Sequence, residues 1–290
     1  MASKEIVDGH TELSLAIYSG KDRMAEELLK NGSNANGLIP SLKHNNMSYL
    51  LFSCLKKNLN LVKVLIQHGA DINATYQYDD FNLTTLQWLI KPSNDPDQIK
   101  IFLELLKHGA DVNKVENQFK FTSVHIAARE GNSEVIKHLL SYRANINTID
   151  ITGLTPLHYA INNGHISCVT LLLEAGCEVN STDGDVSPLH FAAVNRNDEI
   201  VSKLIEYGAK FNAQDSDGKS PLHYALLSYS ELNKIECVKI VSRLLKEPVD
   251  LNLKCKNGKT ALELAFENNC YDIVKMLTHK LISTSFKCNR

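Results

Sequence analysis

Asp150-Ile151-Thr152-Gly153-Leu154-Thr155-Pro156-Leu157-His158 is the most legible stretch of this chain. Its last four residues return as Ser187-Pro188-Leu189-His190 and as Ser220-Pro221-Leu222-His223, at steps of about 32 and 33 residues. A hydroxyl in the first place can accept the orphan N–H groups of a helix start. Proline in the second place loses nothing, because its missing N–H would be unpaired there. Each copy therefore opens a helix. A second phrase follows: Gly69-Ala70-Asp71-Ile72-Asn73 and Gly109-Ala110-Asp111-Val112-Asn113, with weaker copies from Gly176 to Asn180 and from Gly208 to Asn212. A unit this short cannot bury its own apolar face, so neighbours must stack.

The hydroxyl position falls at Thr11, Ser48, Thr84, Thr122, Thr155, Ser187, Ser220 and Thr260. That spacing gives about eight units. Glu12 and Tyr49 replace proline in the first two, so those starts are expected to be less well set. Each second helix carries a stripe at helical spacing, such as Ile166, Val169, Leu172 and Leu173. Gly then ends that helix, where a left-handed backbone has no Cβ penalty. Arg143 and Pro248 stand in its place in units four and seven, which predicts irregularity at both. Two places before each hydroxyl stands Gly, Asn or Asp, with Lys120 the exception, so a turn tolerant of positive φ recurs.

The run from Asp150 to His158 and the run from Gly69 resemble those of the ankyrin-repeat family. The resemblance covers residues 5–280 and implies an all-α solenoid of about eight helix-turn-helix units with projecting β-turn fingers. Unit starts are expected near residues 6, 43, 79, 117, 150, 183, 215 and 255 of one domain, and 281–290 is read as a polar C-terminal tail. It also implies a structural capping pair within each first turn: Thr122 with His125, Thr155 with His158, Ser187 with His190, and Ser220 with His223. A shared metal is rejected on geometry, because stacked helices lie ~8–10 Å apart and each zinc ligand must come within ~2 Å of one ion. No metal and no cofactor are expected.

Composition narrows the rest. The formal charge is −2, which leaves no basic footprint for nucleic acid. No apolar run is long enough to span a membrane. The start, Met1-Ala2-Ser3-Lys4-Glu5, lacks a signal-peptide core. The odd count of 7 cysteines suggests free thiols in a reducing compartment. A cytoplasmic protein is expected, with the nucleus as the alternative. No phosphate loop, nucleophile elbow or zinc-protease helix occurs, so an enzyme is not expected.

Candidate partner-binding residues vary between units. The fingers of units three and four are aromatic, with Tyr76, Tyr78, Asp79 and Phe81, then Phe119 and Phe121. Exposed aromatics are costly unless they pack or bind. Trp88 adjoins an insertion around Lys91 to Pro96, and a second insertion surrounds Ser228 to Lys234. Arg129 and Glu130 end the first helix of unit four, with Asn162, Asn163, Asn195 and Arg196 in the equivalent places next door and Ile151 on the intervening finger. Asp183, Asp185, Asp215 and Asp217 make the later fingers acidic. The expected function is a non-catalytic protein–protein interaction module that holds a partner protein on its concave face and fingers, as a monomer. The alternatives are an inhibitory regulator of a signalling or transcription factor and a host-directed effector of a virus or intracellular bacterium.

Overall fold

The computed structural model describes residues 11–39, 47–78, 81–90, 95–115, 118–181, 186–227 and 229–288. Asp79, Asp183, Asp185 and the expected unit starts near 6, 43, 79, 117 and 183 lie outside them, as do the insertion residues 91–94 and 228. The side chains of Tyr78 and Phe81 are likewise not described. The chain divides into two compact blocks, Met1–Asn145 and Ile146–Arg290.

In the N-terminal block the helices come in pairs. These are α1 (Glu12–Tyr18) with α2 (Asp22–Lys30), α3 (Tyr49–Leu55) with α4 (Leu59–Gln67), α5 (Thr85–Trp88) with α6 (Pro96–Lys107), and α7 (Ser123–Glu130) with α8 (Ser133–Ser141). First helices pack on first helices, and α2, α4 and α6 pack in a second row. Two fingers are antiparallel ribbons: β1 (Leu38–Ile39) pairs with β2 (Met47–Ser48), and β3 (Thr75–Tyr78) pairs with β4 (Phe81–Thr84). Thr, Tyr, Phe and Leu suit a pleated, half-buried surface. The C-terminal block repeats the scheme. Its pairs are α9 (Pro156–Asn162) with α10 (Ile166–Glu174), α11 (Pro188–Val194) with α12 (Asp198–Glu206), α13 (Pro221–Leu227) with α14 (Lys234–Leu244), and α15 (Ala261–Glu267) with α16 (Tyr271–Cys288). The stretch from 281, read as a polar tail, is part of α16 as far as Cys288.

The apolar stripes are the core. Val169, Leu172, Ile200, Val201, Leu204, Ile240, Val241 and Leu244 are fully buried. Cys168 is buried with them, and burial pushes its thiol up to about 11. At ~0.8 kcal/mol per buried CH₂, these rows supply the main stabilisation.

Asparagines join one repeat to the next. The Oδ1 of Asn36, Asn73 and Asn113 accepts the N–H of Asp71, Asp111 and Asn145 at 2.7, 2.8 and 2.8 Å. In the C-terminal block Asn147, Asn180 and Asn212 do the same for Glu178, Lys210 and Asp250 at 2.9, 2.8 and 2.9 Å.

Three expectations change. Arg143 causes no irregularity: it takes φ +60°, the conformation Gly69 and Gly109 take at the same place, and Ala144 N–H closes onto the Leu139 carbonyl at 3.0 Å. Backbone closure there outweighs a left-handed penalty of ~1–2 kcal/mol. Lys120 meets the finger requirement in the same way, at φ +57°. The proline-free starts are well set, because Thr11 and Ser48 accept the N–H of Ser14 and Leu51, each at 3.0 Å. At Pro248 the helix end does differ: Val249 N–H bonds the Glu247 carbonyl at 2.9 Å, where Ala70, Ala110 and Ala144 at the equivalent place close onto a carbonyl five residues back.

Candidate functional site

Each candidate polar residue is either spent on the fold or left facing outward. The imidazoles are spent. The N–H of Thr122, Thr155, Ser187 and Ser220 donates to Nδ1 of His125, His158, His190 and His223 at 3.2, 3.1, 3.1 and 3.2 Å. The four hydroxyls lie 2.8–3.0 Å from the same nitrogens. A backbone N–H can only donate, so each Nδ1 is bare and the ring is neutral with its proton on Nε2. At two of the four rings that proton reaches the next repeat: His190 and His223 Nε2 donate to the carbonyls of Lys219 and Lys259 at 3.0 and 3.2 Å. Gln87 does the same in the N-terminal block. Its Oε1 accepts Thr84 N–H at 3.0 Å, and its Nε2 donates to the Phe121 carbonyl at 3.4 Å. The family resemblance implied the capping pair; the link to the next repeat carried no sequence signal.

Burial sets the charge state of these rings. It lowers His158 to about 4, and the nearby Val186 carbonyl and Asp150 oppose it only in part. His190 and His223 are lowered by burial too. Among the described residues no group of three or more His, Cys, Asp or Glu could hold a metal ion.

The finger carboxylates are spent as well. Asp150 Oδ1 accepts the N–H of Thr152 and Leu154 at 2.7 and 3.0 Å, and Oδ2 accepts the Tyr159 hydroxyl at 2.5 Å. Burial works to raise its pKa, but these bonds outweigh it and hold the carboxyl low. Asp215 accepts from Asp217 N–H, Lys219 N–H and Tyr224 O–H at 2.9, 2.7 and 2.8 Å. Asp217 pairs with Lys219 and Lys256 at 3.1 and 3.4 Å. That finger is therefore charge-balanced rather than acidic.

The aromatics divide. Phe121 is buried, stacked on Phe119 at 5.9 Å and tilted against His125 at 5.9 Å, with the Arg129 guanidinium 5.6 Å above its ring. It is a packing residue and not an exposed anchor. Phe119, Tyr76 and Trp88 are half-buried. Tyr76 lines a cavity of about 400 Å³ with Ser48, Leu50 and Asp71, and burial raises its hydroxyl pKa.

The outward-facing set follows. In the N-terminal block Arg129 and Glu130 are paired to each other at 3.1 Å and partly exposed. In the C-terminal block Ile151 is 60% exposed on its finger. Asn162, Asn163 and Asn195 are exposed at first-helix ends, and Asn195 Nδ2 donates to Asn162 Oδ1 at 3.2 Å. Arg196 stands beside them at φ +58°.

A family model described as ankyrin repeats in three copies matches residues 2–76, 79–183 and 189–288. The chain belongs to the ankyrin-repeat family. Ankyrin repeats are generally protein-interaction modules. The chain is 36% identical over 203 residues to Inversin of Gallus gallus, covering 69% of this chain and 18% of that protein. A protein named as an ankyrin repeat protein in Rickettsia bellii is 35% identical over 128 residues, 43% of this chain and 46% of its own length. A Candida albicans protein named glycerophosphocholine phosphodiesterase GDE1 is 28% identical over 166 residues, 57% of this chain and 13% of that protein. The chain thus spans less than half the length of these curated relatives. No helix among the described residues is long and apolar enough to cross a membrane.

Proposed function

We propose that this chain is a non-catalytic ankyrin module that holds a partner protein on its fingers and first-helix ends, acting as a monomer in the cytoplasm. One observation carries the reading. The recurrent His, Asn and Asp side chains are occupied in turns and repeat joints, while Ile151, Asn162, Asn163, Asn195 and Arg196 stay outside the core. Side chains left in solvent, bonded at most to each other or to their own helix, are the ones available for recognition. Ile151 supplies apolar area, and Arg196 supplies the donor-rich side chain common at interface centres. In the N-terminal block Arg129 and Glu130 hold the matching positions. A scaffold fixed by repeated caps loses little conformational entropy on binding.

The test is Ile151→Glu with Arg196→Glu, used as bait beside the wild-type chain in isotope-labelled affinity purification from the source cell. At least one protein should fall fivefold or more while the melting temperature stays unchanged. Equal recovery of every captured protein with the fold intact contradicts the reading.

A further inference from the structure

A recess of about 420 Å³ lies between α14 and α16, lined by Ser242, Leu245, Lys246, Lys275, Met276, His279 and Lys280. α14 stops at Leu244, so Leu245 and Lys246 lie just past its end, while the α16 wall from Lys275 to Lys280 is still helical. The continuing helix walls one side, and Lys280 Nζ donates to the Leu245 carbonyl at 2.6 Å across the gap. Leu245 and Met276 are half-buried and form an apolar floor.

The rim is cationic. Lys246 and Lys275 are exposed and come from opposite walls. Among the described residues neither has an ion-pair partner. Two other cations of α14 are matched: Lys234 holds Asp272 at 2.8 Å, and Arg243 holds Asp198 at 3.1 Å. No acid lines the recess. Glu247, adjacent in sequence, instead lines a separate depression beside Ile205 and Phe211. The whole chain carries a formal charge of −2, so this local excess is not a by-product of composition.

We infer that this recess binds an acidic peptide segment of another protein, with an apolar side chain seated on Leu245 and Met276 and flanking carboxylates over Lys246 and Lys275. Charge complementarity sets the sign of the partner. The sunken apolar floor favours a peptide over a membrane, because a flat headgroup layer does not reach between the two helices.

The probe is a fluorescein-labelled ten-residue peptide of Glu and Asp with two central leucines, titrated by fluorescence anisotropy against the full chain. Lys246→Glu with Lys275→Glu should weaken binding at least tenfold, with unchanged melting. Reversal of the exposed Lys107 and Lys137 on other helices should change it less than twofold. Replacing the two leucines by serine should also weaken binding several-fold. Equal binding by the Lys246/Lys275 variant overturns the inference. So does indifference to the leucines, or tighter binding of phosphatidylserine vesicles or single-stranded DNA than of the peptide.

Discussion

His158→Gln should flatten the acid dependence of stability in this chain. The folded ring titrates near 4 because of burial, against an ordinary value of 6.5. Between those values the unfolded chain binds a proton that the folded chain refuses, so stability falls as the pH drops below 6.5. At ~1.36 kcal/mol per pK unit, the loss from His158 alone reaches about 3 kcal/mol at pH 4. Protonation also places a second N–H against the Thr155 N–H, which now donates to Nδ1 at 3.1 Å. Gln is the appropriate replacement, because Gln87 makes both the cap and the repeat link without a titrating group. The assay is urea unfolding of both proteins from pH 7.5 to 4. The two stability curves should lie within about 1 kcal/mol of each other at neutral pH. The wild-type curve should then drop more steeply by about 3 kcal/mol at pH 4. Parallel curves would refute the buried neutral imidazole.

Other outcomes follow from particular residues. Arg143→Gly should raise stability by about 1 kcal/mol, read from the urea midpoint, because a side chain at φ +60° is relieved. Gly218→Ala should lower it by about 2 kcal/mol, since φ is +72° and a Cβ would meet the Lys254 carbonyl at 2.9 Å. Phe121→Ala should lower the melting temperature of the N-terminal block at a cost of about 3 kcal/mol. Arg129→Ala, above the same ring, should cost under about 1 kcal/mol.

The Thr/Ser-Pro-Leu run was readable because its steps have local causes, a hydroxyl cap and a proline at the first helical place, whereas the role of the ring three residues on came from the family resemblance. The apolar rows were readable because helical spacing alone puts Val169 and Leu172 inward. Arg143 and Lys120 were not, since composition hides a positive φ when closure of the turn dominates the residue's own preference. Phe121 was misread as an exposed tip because its burial depends on His125 and Arg129, reached only once the finger folds back on α7. Asp215 was counted as surface charge because the bonds that occupy it come from Lys219 and Tyr224, further along the chain. The recess at Lys246 and Lys275 had no signal at all, because it depends on how the end of α14 meets the face of α16, which no local pattern records.

The central claim is that the partner of the fingers is held around Ile151 and Asn195, on fingers and first-helix ends, rather than on the second helices of those same repeats. Photo-crosslinking tests it directly, with p-benzoylphenylalanine placed singly at Ile151, Asn195 and, as the second-helix control, the exposed Glu174 of α10. The account predicts one common cross-linked protein from Ile151 and Asn195 and none from Glu174. Cross-links to that protein from Glu174 alone would contradict it.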